Sequence, residues 1–549
     1  MAFLSFFGFT LLVAVISYLL TKKTDENTSD GYFLGGRSLT ASVIAGSLLL
    51  TNLSTEQIVG LNGQAFSEGI LVMAWETFAA VAMVVTAIFL LPRYLKEGIT
   101  TVPQFLESRY DRPTKTITSL LFLSGYAVVL LPIVLYSGAL AVVTMFDLPT
   151  LLSVSHDTAL WICVWGIGIA GSIYAIFGGL KAVAVSDTLN AGGLLIGGLL
   201  IPFFGLTYIG DGNLMDGVRI LMTENPEKFN AIGSSTSSIP FSTLFTGMML
   251  VHMFYWGTNQ AIIQRALGAK NLEEGQKGLL LAAFFKILGP LVVVLPGIIA
   301  FHIFKGEISI PDQAYPMLVS KVLPVGLVGF FAAVLVGAIL SSFNSALNSS
   351  VTLFGLDIYK EYVNKNATEK QTVTRGKQFG ILLALVSMLI APLIAKAPDG
   401  LFGYLQEVNG CYSIPILTII VVGYATKNVP AIAAKIGLLS GVVLYSISQF
   451  VLKPNFVTAA IVEAKMNGIY DEATLAEIGK LAYPHFLHVM AILFVLNVGI
   501  MLLIGTFFLR PESYELKETF QVNTTPYTRV KIVGIAICVV VALIYMYFS

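Results

Sequence analysis

The chain has 549 residues. It is 56% hydrophobic and only 12% charged, with a mean hydropathy of +0.81. Soluble domains carry about 25% charged residues, so a string of soluble domains is excluded. The 32 Lys and Arg balance the 32 Asp and Glu, and no nucleic-acid partner is expected.

The apolar residues fall into separate runs, each long enough to cross a bilayer. About fourteen transmembrane helices are read, near 2–20, 40–63, 70–92, 117–146, 158–177, 183–209, 239–258, 276–304, 318–359, 374–395, 399–425, 430–452, 482–508 and 529–548. The fold class is therefore an all-α polytopic membrane protein forming one transmembrane domain over 1–549. Ala2–Leu20 has no basic segment before it, and Lys22 and Lys23 follow it. This is a retained first span with its N-terminus outside, not a signal peptide. That orientation places about 23 Lys and Arg in inner segments, including Arg37, Arg93, Arg109, Lys115 and Arg265, against about 8 in outer ones. Cys163, Cys411 and Cys538 all lie in apolar runs, so a disulfide framework or metal cluster is not expected. The polar tail 510–528 is read as at best a short inner helix.

Spans two to six and seven to eleven form two sets of five. An odd number inverts the second set (239–425) relative to the first (40–209). Helices 2–20, 430–452, 482–508 and 529–548 are peripheral. The first span of each set carries a polar interruption. In one it is Asn52-Leu53-Ser54-Thr55-Glu56-Gln57; in the other, His252 through Tyr255-Trp256-Gly257-Thr258-Asn259-Gln260. Unpaired polar groups in hydrocarbon cost several kcal/mol, and paired interruptions in inverted halves point to a transporter's central site.

Lys286 lies about nine residues inside its span, roughly 14 Å deep at 1.5 Å per residue. A buried ammonium needs acceptors, and Glu76 is the obvious intramembrane carboxylate, with Glu56 second. Asn52, Gln57, Glu76, Lys286 and Gln406 together suit a multiply hydroxylated solute. Trp75, Tyr255, Trp256 and Phe402 could supply the faces on which a sugar ring stacks. No Arg is read within a span, which weighs mildly against an acidic solute. Ser341, Ser342, Ser345 and Asn348 form a polar stripe at helical spacing. They serve either as carbonyl-bonded hydroxyls or as neutral oxygen ligands for a hard monovalent cation. No Walker A loop, HExxH or nucleophile elbow is present, so neither an ATP-driven pump nor a membrane protease is expected; the chain is not an enzyme.

These stretches resemble those of sodium:solute symporters, most of all the bacterial sodium/galactose and sodium/glucose cotransporters. Asn52–Gln57, Tyr174-Ala175-Ile176-Phe177-Gly178-Gly179-Leu180 with Asp187, Tyr255–Gln260 running on to Gln264-Arg265, Ala338–Asn348 and Asp357–Tyr362 carry the likeness. The resemblance implies a LeuT-like core of two inverted repeats and alternating access driven by Na+ in a bacterial inner membrane. It implies a sodium site from the carbonyls of Leu50, Leu53 and Ala338 and the hydroxyls of Ser341 and Ser342, with Asp187 on the exit path. It also implies sugar contacts at Asn52, Gln57, Glu76, Lys286 and Gln406, an inner gate at Tyr255 and an outer lid of Leu61 and Phe402.

Three positions depart from the pattern. Leu130 and His252 stand where the galactose carrier has Asn, and Ala79 where it has Ser. A solute-facing His252 would make uptake pH-sensitive, a hypothesis that an unchanged pH profile in His252→Asn would contradict. The expected function is sodium-coupled import of a neutral, galactose- or glucose-like sugar. The alternatives are a sodium symporter for a polyol, sugar acid or amino acid and, from another class, a transporter-like membrane sensor. A sensor would carry a soluble output domain, whereas here the chain ends directly after its last span.

Overall fold

The computed structural model describes residues 2–22, 27–396, 401–508, 510, 513–516 and 518–549. Lys23 and the first two residues of the run read at 399–425 lie outside them. The described residues of the apolar runs are mostly helical. Ten helices are long and apolar enough to cross a membrane, and Gly8–Thr21 and Ala41–Asn52 are shorter apolar ones. The ten long helices each cover one of the runs read from sequence, and only Thr55–Glu97 also takes in part of a second, the run at 40–63 that breaks at Leu53–Ser54.

In chain order the elements that matter are α1 (Ala2–Thr21), α2 (Ala41–Asn52), α3 (Thr55–Glu68), α4 (Ala74–Val85), α5 (Arg112–Gly125), α6 (Leu131–Met145) and α7 (His156–Ile209). Then follow α8 (Gly247–Gly257), α9 (Gln260–Leu267), α10 (Leu272–Val293), α11 (Leu295–Ile303), α12 (Val325–Thr352), α13 (Glu369–Ile390) and α14 (Leu401–Ala425). The last are α15 (Ala431–Ile447), α16 (Phe486–Phe507) and α17 (Val530–Tyr547).

The bends have local causes. π-Helical turns at Thr86–Leu90, Tyr126–Leu130 and Ser448–Leu452 each end at a residue followed by proline at 92, 132 or 454. Proline lacks the N–H for an i−4 carbonyl and its ring crowds that carbonyl; widening the turn before it relieves both effects. Within α7, Gly179 adopts φ 58°, ψ −174°, a conformation that only glycine takes at low cost. It divides α7 close to the gap expected between 177 and 183.

Both polar interruptions break their helices. α2 stops at Asn52, Leu53 takes φ −78°, ψ 55°, and Ser54 is extended before α3. α8 stops at Gly257, and Asn259, extended at φ −69°, ψ 117°, caps α9. α2 packs against α7, α10 and α12, so the first break lies in the middle of the bundle. The expected helix in the tail is not found. Its described residues run non-helically across one end of the bundle, where Thr519 N bonds Lys96 O at 2.9 Å and Leu272 N bonds Asn523 O at 2.9 Å. Backbone pairing with loops it meets only in the folded state replaces pairing within the tail.

Candidate functional site

Local chemistry makes the first break. Asn and Ser side chains compete with helical backbone bonds, and a helix end leaves carbonyls without intrahelical partners. Leu53 N–H still reaches Leu49 O at 2.9 Å, but among the described residues no backbone N–H bonds the carbonyls of Leu50 or Leu53. Ser54 does not cap α3 with its side chain; its hydroxyl donates to Glu56 Oε1 instead.

α12 lies against this break with its hydroxyl stripe. Ser342 Oγ donates to Thr51 O at 2.8 Å, and Thr51 Oγ1 lies 3.2 Å from both Ser341 Oγ and Ser345 Oγ. Of the two alternatives read from the sequence, the carbonyl-bonded hydroxyl is seen at Ser342 and Ser345. Ser345 bonds a carbonyl of its own helix, Ser341 O, at 2.5 Å, while Ser341 and Ser342 reach across to α2. Leu50, Leu53, Ala338, Ser341 and Ser342 are all buried. Free carbonyls and hydroxyls at one helix junction form a neutral oxygen set suited to a monovalent cation.

Directly beside this set, Asp187 accepts from Ser47 Oγ at 2.6 Å, and Arg265 donates to Ser47 Oγ at 2.6 Å. Arg265 also reaches Asp187 at 3.5 Å and bonds Ser345. Arg265, counted among the inner positive charges, is 1% exposed. Residue 265 lies between the runs read at 239–258 and 276–304, and α9, folding inward after the second break, carries Arg265 into the bundle.

On the other side of the break, Lys286 Nζ donates to Glu76 Oε1 at 2.8 Å and Oε2 at 2.7 Å, and also to Asn52 Oδ1. Gln57 Nε2 donates to Glu76 Oε1. All four side chains are buried, and Lys286 lies 5.6 Å from the Trp256 ring centroid. α10 comes this close to α4 because residue 289 is glycine: a Cβ there would strike the Glu76 carboxylate.

A cavity adjoins this network. Asn52, Gln57, Trp75, His252, Tyr255, Phe402 and Gln406 line it, together with Leu130 and Glu56. Trp75 meets Phe402 edge-on at 5.1 Å and His252 at 5.8 Å. Of the expected solute contacts, Glu76 and Lys286 do not line the cavity but bond the Asn52 and Gln57 side chains that do. Leu61 is fully buried and does not line it either, and neither does Ala79. Asn259, Asn409 and Tyr412 line it without having been singled out for it. Asn259 accepts from Tyr126 OH at 2.6 Å, so the second break is held by α5–α6. Asn259 lay within the quoted polar interruption, whereas no sequence signal marks Asn409, Tyr126 or Gly289.

The sodium:solute symporter family model matches residues 32–441. The chain is 48% identical over 534 residues to the uncharacterized symporter YidK of Escherichia coli K12, covering 97% of this chain and 88% of that one. It is 33% identical over 470 residues to the sodium/glucose cotransporter of Vibrio parahaemolyticus, at 80% and 84% coverage. It is 29% identical over 468 residues to human sodium/myo-inositol cotransporter 2, at 79% and 67% coverage. In fold it is similar to a Na+-coupled sialic acid symporter solved in a substrate-bound outward-open state, with a TM-score of 0.71 and 17% identity over 94% of this chain and 99% of that one. The nucleobase-cation-symport transporter Mhp1, in a closed conformation, follows at a TM-score of 0.53 and 14% identity, covering 88% and 96%. These relatives and neighbours are transporters, not enzymes, and the fold is of the LeuT-like class. The chain is a multi-pass membrane protein that belongs to the sodium:solute symporter family, and sodium is its co-transported ion.

Proposed function

We propose that the protein imports an uncharged, galactose- or glucose-like sugar together with sodium by alternating access. Leu50, Leu53 and Ala338 would bind the ion through their carbonyls, and Ser341 and Ser342 through their hydroxyls. Asn52, Gln57, Gln406, His252 and Trp75 would contact the sugar, with Glu76 and Lys286 acting beside them. Tyr255 would close the site from below, Phe402 and Leu61 from above, and Asp187 would line the sodium exit. The core would be two inverted five-helix repeats, 40–209 and 239–425, in a bacterial inner membrane with the N-terminus outside.

The observation that carries this reading is the 2.8 Å bond from Ser342 Oγ to Thr51 O. It joins the cation's oxygen set to the same break that presents Asn52 and Gln57 to the cavity. A ligand can shift a conformational equilibrium only by binding one state better. Sodium held between the α2 break and α12 would favour the state in which that break is positioned for solute, and the coupling is reciprocal. Uptake of radiolabelled galactose and glucose into proteoliposomes, with and without an inward sodium gradient, tests it. Uptake of both sugars that ignores the gradient, or that is absent, overturns it. A polyol is the second reading, favoured by the myo-inositol cotransporter relative; labelled inositol in the same assay decides between the two.

A further inference from the structure

Glu56 is the charged member of the Asn52–Gln57 run, and neither the sodium set nor the solute contacts assign it a role. It is 7% exposed. Its Oε1 accepts from Ser54, while its Oε2 is buried and meets no partner among the described residues. Its side chain lines the central cavity, and also a second one between α3, α6 and the 311–316 segment, where Gln313 stands.

Glu56 lies in the first turn of α3, whose N-terminus carries no side-chain cap. The positive end of the helix dipole there favours a carboxylate. A free carboxylate oxygen in hydrocarbon nonetheless requires a donor. Two more cavity-lining atoms are equally unpartnered and buried: Trp75 Nε1, a donor, and His252 Nε2, a donor or an acceptor according to its tautomer. By contrast, Lys286, Glu76, Asn52 and Gln57 already satisfy one another. Three unmatched groups facing one space describe what that space is built to hold: a molecule with both donors and acceptors, as each hydroxyl provides.

We propose that Glu56 binds the solute directly, its Oε2 accepting a hydrogen bond from one solute hydroxyl, and that Glu56, Trp75 and His252 form a recognition face separate from the Lys286–Glu76 network. The inference rests on the reading of the cavity as a sugar site. It carries a consequence for selectivity. No Lys or Arg lines the cavity among the described residues, and Lys286 is already engaged by both oxygens of Glu76. A sugar acid would bring its carboxylate toward Glu56 with no cation to meet it, so Glu56 discriminates against hexuronates.

The test is sodium-driven uptake by the full-length protein in proteoliposomes. The probes are D-galactose, D-glucose, their monodeoxy analogues and D-galacturonate, with wild type and Glu56→Gln compared. A charge-assisted bond predicts a KM for the transported hexose raised roughly ten- to a hundred-fold in Glu56→Gln, with the half-saturating sodium concentration unchanged. One deoxy analogue, poor for wild type, should be no worse than its parent for the variant, and the preference for galactose over galacturonate should narrow. A merely structural role would lower uptake of every analogue by the same factor, which overturns the proposal, as does a shift confined to sodium affinity. If Glu56→Gln does not fold, Glu56→Asp, which keeps the charge but withdraws it by one methylene, must show its largest loss at that same hydroxyl; an even loss overturns the proposal. Wild-type protein with no sodium-driven uptake of either hexose overturns the sugar reading and this inference with it. Hexose uptake with every deoxy penalty preserved in the variant overturns the inference alone.

Discussion

Lys286 and Glu76, like Arg265 and Asp187, form a fully buried ion pair. Lys286 and Glu76 satisfy each other at 2.7–2.8 Å. Removing one partner strands a charge in hydrocarbon, at about 3–5 kcal/mol for a buried pair, whereas replacing both with apolar groups is often near neutral. Lys286→Met should therefore lower the melting temperature of the purified protein markedly, and Lys286→Met with Glu76→Leu should regain most of it while transporting nothing. Equal melting of the single and double variants would show that the pair does not bear on stability. Ser342→Ala removes the hydroxyl that reaches Thr51 O. It should abolish sodium stimulation of uptake with melting unchanged, and retained sodium dependence would refute the ion site.

At the scale of elements, close approach decides geometry. α10 reaches α4 only because Gly289 leaves room for the Glu76 carboxylate. Gly289→Ala should push that carboxylate off Lys286, lowering both melting temperature and uptake. Gly166→Ala, where nothing lies within 4 Å of the added Cβ, serves as the neutral control in the same melting assay. The breaks at Leu53–Ser54 and Thr258–Asn259 were legible from sequence because polar residues inside an apolar run are a one-dimensional signal. The π turns were not read, although the prolines at 92, 132 and 454 mark them. Each lies inside a single apolar run (70–92, 117–146 or 430–452) and bends the helix there without joining it to a neighbouring run.

For the whole molecule, charge placement is the instructive difference. Inner Lys and Arg outnumber outer ones in the sequence, yet several are not at a water interface. Arg109, Lys115 and Arg265 are each 2% exposed or less. Arg109 donates to the carbonyls of Gly423, Thr426 and Val429 at 2.9–3.1 Å, Lys115 pairs with Glu107 and Glu361, and Arg265 pairs with Asp187. They tie helices together within the bundle. Coupling is also a property of the whole. One sodium moving with a neutral solute carries one charge, and 100 mV is worth about 2.3 kcal/mol per charge, enough for roughly 40-fold accumulation. With sodium equal on both sides, the limiting accumulation ratio should rise tenfold per roughly 60 mV of imposed potential. A tenfold rise in half that span would mean two sodium ions per solute.

The sequence by itself determined the membrane class, the positions of the two broken helices, the family and most of the residues around the first break. Periodicity, polarity and motif are all local properties of the chain. Only the tertiary structure decided which polar groups meet. It chose Glu76 over Glu56, the two carboxylates read as partners for Lys286, across 210 positions, and brought Ser47 to Asp187 across 140. Those pairings set which atoms are satisfied within the protein and which, like Glu56 Oε2, are left for a ligand. Hydrogen-bond satisfaction depends on every neighbour at once, so no stretch of the chain, read alone, contains it.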